Sequence, residues 1–400
     1  MTTTTFPTSP GLAAPPAAPP VPMARGRLQS IDALRGFVMV VMLIDHLRET
    51  WLVHVRMPDP IDARVVLPAL YLARLAASLC APVFILLTGI AAFLFFTRHT
   101  LAETRSYLVK RGLVLMVLEV VFLSELYWGI ASPTFWLQVI WCIGVCMIVL
   151  AALIGVPRRW LLGLALLIIG GHNLLDAIRL TPDDRLFPLW AMLHQRDVIA
   201  LPFGFVAKTT YPVLPWIGVI LLGWAIGPWF AGEADARVRV RRLFGVGAAM
   251  LALFVLLRWA NVYGDARWFV VEGDAMRTAM SFFALTKYPP SLLFLLLTLG
   301  CGALLLAAFE RLDGSRVAGA VAVFGAAPMF FYLLHLSVLR LLYHSAFAIW
   351  GPTHGATFGV DDYGWVLLWY VALIGPLYVP TAWFARFKAR RRDIGWLKYL

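Results

Sequence analysis

The sequence predicts an all-α, polytopic integral membrane bundle of about ten transmembrane helices. Three observations carry that prediction. First, the 400 residues are 61% hydrophobic and 14% charged, with a mean hydropathy of +0.80. A soluble domain holds about 25% charged residues and cannot bury so much apolar surface. Second, the apolar residues come in runs of roughly 20, the length one helix needs to cross a hydrocarbon core about 30 Å thick. Third, the Lys and Arg residues behind the net charge of +12 gather in the short links between alternate runs, as they do in cytoplasmic loops. These features exclude a cytosolic enzyme, a secreted disulfide scaffold, a nucleic-acid-binding module and a mostly disordered chain.

Residues 1–24 are rich in Thr, Pro and Ala with no apolar period, and are expected to form a disordered tail rather than a signal peptide. A transmembrane domain is expected over 25–390 and a basic cytoplasmic tail over 391–400. Spans are predicted near 33–53, 69–97, 107–128, 134–155, 160–177, 211–230, 242–260, 289–310, 319–348 and 364–386. The stretch 186–206 is apolar but interrupted by His194, Gln195, Arg196, Asp197 and Pro202, so it reads as a re-entrant or interfacial segment. Cys80, Cys142, Cys146 and Cys301 sit in apolar runs and read as packing residues. Gly218, Gly223 and Gly227 read as points of close helix packing. The basic links include Arg98 to Arg111, Arg158 with Arg159, and Arg237 to Arg242; they place both termini in the cytoplasm, in agreement with an even number of spans. Longer segments of mixed sign, 48–68, 172–208, 258–288 and 349–363, fall on the other side. The Ala- and Arg-rich usage points to a bacterial inner membrane.

Ionisable residues inside spans are costly and each needs a reason. The first span is the densest in them: Ser30-Ile-Asp-Ala-Leu-Arg-Gly-Phe, then Asp45-His46-Leu-Arg48. At 100° per residue Asp32, Arg35 and His46 share one stripe of a helix. Arg35 and His46 stand about 16 Å apart along its axis, half an apolar core. Asp32 and Arg35 can pair at i, i+3, while Asp45 points to a neighbouring helix or the bundle interior. A guanidinium at one depth can hold an anionic donor, and an imidazole half a membrane away can take a proton or an acyl group. A topology-setting arginine and a histidine bonded within the bundle fit the same pattern.

The ordered segments Ser30 to Phe37 with Asp45-His46, Cys80-Ala-Pro-Val-Phe-Ile-Leu-Leu-Thr-Gly89, Gly171-His-Asn-Leu-Leu-Asp176, Tyr211-Pro-Val-Leu-Pro-Trp-Ile-Gly218, Lys287-Tyr-Pro-Pro290 and Pro328-Met-Phe-Phe-Tyr-Leu-Leu-His335 resemble the bacterial heparan-alpha-glucosaminide N-acetyltransferase-like membrane family. The resemblance covers roughly residues 28–385. The spacing of Arg35 and His46 is similar to that of a wider superfamily of transmembrane acyltransferases. The resemblance implies transfer of an acetyl or other acyl group from cytosolic acyl-CoA to an amino sugar, glycan or small acceptor on the far side. Acetyl-CoA is then a donor substrate and no cofactor is bound. Arg35, with Lys110 and Arg111, would hold the donor phosphates. His46 would be the base or acyl carrier, oriented or charged by Asp45. In the lysosomal animal relatives an asparagine stands at the position of His46 and the working histidine lies in the following loop, which makes His54 the second candidate.

His172, Asn173, Asp176, Lys287 and His335 are candidate acceptor-binding residues. His172 and Asp176 share a helix face at i, i+4, and a local His–carboxylate cap fits them equally. No HExxH motif or cysteine pair frames a metal site, so none is expected. Lys287 can also snorkel to the interface. The expected partners are therefore the lipid bilayer, acyl-CoA and the acceptor. A secondary transporter or flippase for a small polar solute is the alternative, although the repeated halves it calls for are not evident.

Overall fold

The structure is a computed structural model that describes residues 28–399 apart from 56–57, 125, 127–132, 233–234 and 392. The expected tail at 1–24 and the turn between the third and fourth predicted spans lie outside the described residues. The first half of the bundle comprises α1 (Gln29–Trp51), α2 (Pro68–Ala77), α3 (Cys80–Phe96), α4 (Leu101–Val117), α5 (Val139–Leu153), α6 (Arg158–Gly171), α7 (Phe187–Leu193) and α8 (Leu214–Ile226). The second half comprises α9 (Ala236–Ala260), α10 (Ala275–Phe283), α11 (Leu292–Arg311), α12 (Arg316–Ala326), α13 (Pro328–Trp350) and α14 (Gly364–Arg390). Among the described residues five helical units are long and apolar enough to cross a membrane: Pro68–Phe96, Ala236–Ala260, Leu292–Arg311, Pro328–Trp350 and Gly364–Arg390. Shorter apolar helices, including Val139–Leu153 and Arg316–Ala326, fill in the bundle. α1 is as long, at 23 residues, but carries Asp32, Arg35, Asp45, Arg48 and Glu49. The chain is an all-α membrane bundle, as the composition requires.

Local signals explain where helices start and stop. Thr100 and Glu103 close a capping box at the start of α4. The side chains of Asp235, Ser291 and Ser315 cap α9, α11 and α12. Beyond α4 a π-helical turn, Leu118–Leu123, turns the buried Glu119 toward α5, where its carboxylate accepts from the N–H groups of Ile140 (2.9 Å) and Trp141 (3.3 Å). It thereby satisfies first-turn donors that lipid could not.

The ninth predicted span is not one helix. It breaks at Ala327 (φ −135°, ψ 58°) between α12 and α13, because the ring of Pro328 disfavours helical dihedrals in the preceding residue. Both halves run beside α1 in the same direction. A Cβ on Gly36 would lie 1.9 Å from Val321 O, and one on Gly325 the same distance from Asp32 O; ten residues further along each chain, His46 meets His335. Gly89 and Gly223 let α3 and α8 approach in the same way.

The stretch 186–206 is not a single helix. After α7 it forms β2 (Val198–Ala200) and β3 (Val206–Thr209), antiparallel to each other, and β3 also pairs in parallel with β1 (Thr134–Leu137). The predicted span at 134–155 therefore begins with a strand, and its helix starts only at Val139. This small sheet covers one end of the bundle. At the other end the turn Gly395–Tyr399 folds back: Leu397 is buried beside Ala327 and Phe384, and Tyr399 stacks on Tyr107.

Candidate functional site

α1 supplies the centre of the site. A cavity of about 880 Å³ is lined along this helix from Arg35 to Thr50, which at 1.5 Å per residue is about 22 Å of the bundle's length. Its walls carry nine Lys or Arg residues against three carboxylates, Asp45, Glu49 and Asp59. A low-dielectric cavity with that excess draws anions. Arg35, Arg111 and Lys388 line it from α1, α4 and the last turns of α14. Arg196, Lys208 and Lys287 line it from the connecting segments at the opposite end of α1.

His46 lines the cavity at mid-bundle. Its Nδ1 lies 2.7 Å from Nε2 of His335, and Nδ1 of His335 lies 2.7 Å from the carbonyl oxygen of Phe331, one turn earlier on α13. A carbonyl only accepts, so His335 Nδ1 carries the hydrogen. In the neutral pair His335 Nε2 then accepts from His46 Nδ1–H, and His46 Nε2 keeps its lone pair. The two rings stack at 5.0 Å with an 8° tilt, and Tyr332 stands edge-on to His46. His335 is fully buried behind His46 and does not line the cavity. The sequence places it as an acceptor contact; the structure makes it the partner of His46.

Among the described residues Asp45 makes no hydrogen bond to His46, contrary to the orienting role the resemblance implies. Its carboxylate accepts from Arg48 Nε (3.0 Å) and Arg74 Nη1 (2.5 Å), and Arg48 Nη2 also donates to Glu49 (2.9 Å). Buried charges persist only when paired in this way. Arg74, at the end of α2, is the member that sequence reasoning missed; a charge in the apolar segment 68–77 was its signal.

Arg35 lines the cavity and pairs with Asp32 (3.1 Å) as the spacing predicts, and its Nη1 also donates to Gly325 O (3.4 Å). Arg111 lines it too, donating to Tyr107 Oη (2.6 Å). Lys110, grouped with them from sequence, is exposed and takes no part in the lining; α4 turns it away from Arg111 by 100°.

At the other end buried polar clamps set the shape. Arg258, at the last turn of α9, donates to the carbonyls of Ala266, Ser281, Phe282 and Ala284. Asp265 accepts from Thr286 and Ser291. Together they hold the segment that delivers Lys287 and Tyr288 to the cavity. Asp59 accepts from the N–H groups of both residues, at 3.1 and 3.0 Å. Burial raises the carboxyl of Asp59 above its ordinary pKa, with the Lys287 N–H bond working against the rise. Tyr288 Oη lies 3.3 Å from Tyr211 Oη, and the Arg196 guanidinium sits 5.1 Å from the Tyr288 ring. Sequence reasoning found Lys287 here but did not join it to Asp59, Lys208 or Tyr211, which come from two other segments.

His54 is not at the cavity. It stacks on His354 at 3.7 Å, and His354 Nε2 lies 2.8 Å from Asp361. Burial, then the neighbouring His354 ring, lower its pKa. His172, Asn173 and Asp176 do not line the cavity either. They gather with His194 beside the end of α6.

A polytopic helical membrane protein with a basic cavity along its length and a histidine pair at mid-depth is the class this fold and site define. Residues 27–260 match the family described as heparan-alpha-glucosaminide N-acetyltransferase, catalytic. That match spans more than half of the chain, and the chain belongs to this family. No curated protein sequence matches it. His46 and the Asp45–Arg48–Arg74 cluster fall inside the matched segment; His335 and Lys287 fall beyond it.

Proposed function

We propose that this protein is a membrane acetyltransferase that moves the acetyl group of cytosolic acetyl-CoA to the amine of a glucosaminide-type acceptor on the far side of the membrane. Both termini then lie in the cytoplasm, in a bacterial inner membrane. The observation that carries this reading is the His46–His335 pair: it leaves His46 Nε2 as a lone pair inside a cationic cavity lined toward both ends of the bundle. Arg35, Arg111 and Lys388 suit the phosphates of the donor, with the thioester reaching along α1 toward His46. Tyr288, Tyr211 and Trp136 offer aromatic faces to a sugar at the other end.

In the step itself the acceptor nitrogen attacks the thioester carbonyl carbon, and His46 Nε2 takes the proton that the nitrogen sheds. The C–S bond then breaks, and the proton passes from His46 to the leaving thiolate, giving free CoA and the acetamide. His335 holds the tautomer that makes this possible. The transporter reading needs no such fixed base.

The test is label transfer from radiolabelled acetyl-CoA to glucosamine by purified protein in detergent. His46→Ala is expected to lower the rate by about 10²–10⁴, the range for losing a positioned base, with an unchanged elution profile. Wild-type turnover that survives in the variant would remove His46 from this role.

A further inference from the structure

Outside the cavity, His172, Asp176 and His194 each offer one potential ligand atom, and these atoms all lie within 4.8 Å of one another. Asp176 Oδ1 lies 2.9 Å from His194 Nε2, and Asp176 Oδ2 accepts from Asn173 Nδ2 at 2.9 Å. The two imidazoles stand edge to face, with centroids 5.6 Å apart and planes at 72°. His172 is 2% exposed, and neither of its ring nitrogens has a hydrogen-bond partner; Nδ1 of His194, at 3% exposure, has none either. A buried nitrogen without a partner carries its full desolvation penalty. A neutral imidazole has one lone pair, and the partnerless lone pair of the buried His172, beside Asp176 and His194, has an explanation if it meets a cation.

We propose that His172, Asp176 and His194 bind a single divalent cation of the zinc class. Two imidazoles and a carboxylate are the donors that zinc takes, whereas calcium and magnesium prefer all-oxygen sets. Asn173 holds the carboxylate from behind, as outer partners of metal ligands do; its own Oδ1 accepts from Leu292 N at 2.8 Å and so fixes the group to α11. The carboxylate side is open to solvent, with the Asp176 side chain 47% exposed, which gives the ion an entry and a place for water as fourth ligand. No short motif announces this set, because His194 comes 18 residues after Asp176 on a separate segment. The cation would tie the end of α6 to the chain that continues through Gln195 to Arg196, a residue of the cavity wall. Its role is therefore to hold the acceptor end of the cavity in shape, and the site stands whether or not the acetyl transfer proposed above is correct.

The experiment is zinc content and thermal unfolding of the full-length protein in detergent, as purified, after chelation with EDTA, and after return of zinc alone at micromolar concentration. About one zinc per chain is expected, with a melting temperature that falls on chelation and recovers on return. His194→Ala and Asp176→Asn are expected to lose the zinc and the response, and His354→Ala to keep both. If the variants prove too unstable to purify, a tetrahedral cobalt spectrum of the chelated wild type, reloaded with cobalt, tests the donor set without mutation. Wild type that takes up no zinc and shows no cobalt spectrum, or zinc lost only in His354→Ala, would overturn the proposal.

Discussion

At the residue scale the proposed transfer turns on one nitrogen. His46 Nε2 keeps its lone pair because Nδ1 is committed to His335, and His335 is held in turn by the Phe331 carbonyl. His335→Phe removes the acceptor that fixes the tautomer while keeping an aromatic ring in the space. It is expected to lower kcat by about 10-fold or more, on the scale of losing one catalytic hydrogen bond, while KM for acetyl-CoA stays within twofold and the acid limb of the pH–rate profile moves. His335→Gln, whose amide oxygen can accept from His46, is expected to recover part of kcat. Equal losses in both variants with an unmoved pH profile would leave His335 a packing residue. The sequence exposed His46 and Arg35 because an ionisable group on an apolar helix stands out at once. It exposed His335 for the same reason, but assigned it to the acceptor: helical spacing orders residues on one helix and says nothing about which helix faces it. The wheel turned Asp45 toward a neighbouring helix without saying which residue it meets: its partner Arg74 arrives from α2.

At the element scale the site depends on how closely α12 and α13 lie against α1. Gly36 and Gly325 permit that contact, and the His46–His335 pair follows it ten residues along in both chains. Gly325→Ala puts a methyl group against backbone, which no rotamer change relieves, and is expected to cost roughly 2–3 kcal/mol or more. Gly163→Ala on α6 meets nothing within 4 Å and is expected to be neutral or slightly stabilising, given alanine's better helix propensity. Melting of the two variants in detergent compares them; equal melting temperatures would contradict the close contact. Helices were legible from apolar run length, because lipid requires it. The break at Ala327 and the sheet built from β1, β2 and β3 were not: the apolar run passes through Pro328 without interruption, and a strand pairing across some 70 residues leaves no local period.

At the scale of the whole molecule, the net charge of +12 serves two purposes. Part lies in the links between helices, where the sequence reads it as a topology signal, and part lines the cavity from one end to the other. The first was legible from loop composition. The second was not, because Arg35, Arg74, Arg196 and Lys287 come together only when four separated segments fold into one wall. On the function proposed above, donor and acceptor approach this cavity, basic at both ends, from opposite sides. Sealed proteoliposomes test that arrangement directly, with radiolabelled acetyl-CoA outside and glucosamine enclosed. The account predicts labelled N-acetylglucosamine inside, acetyl-CoA still outside, and no product with His46→Ala. Product formed only when both substrates share one compartment would contradict it.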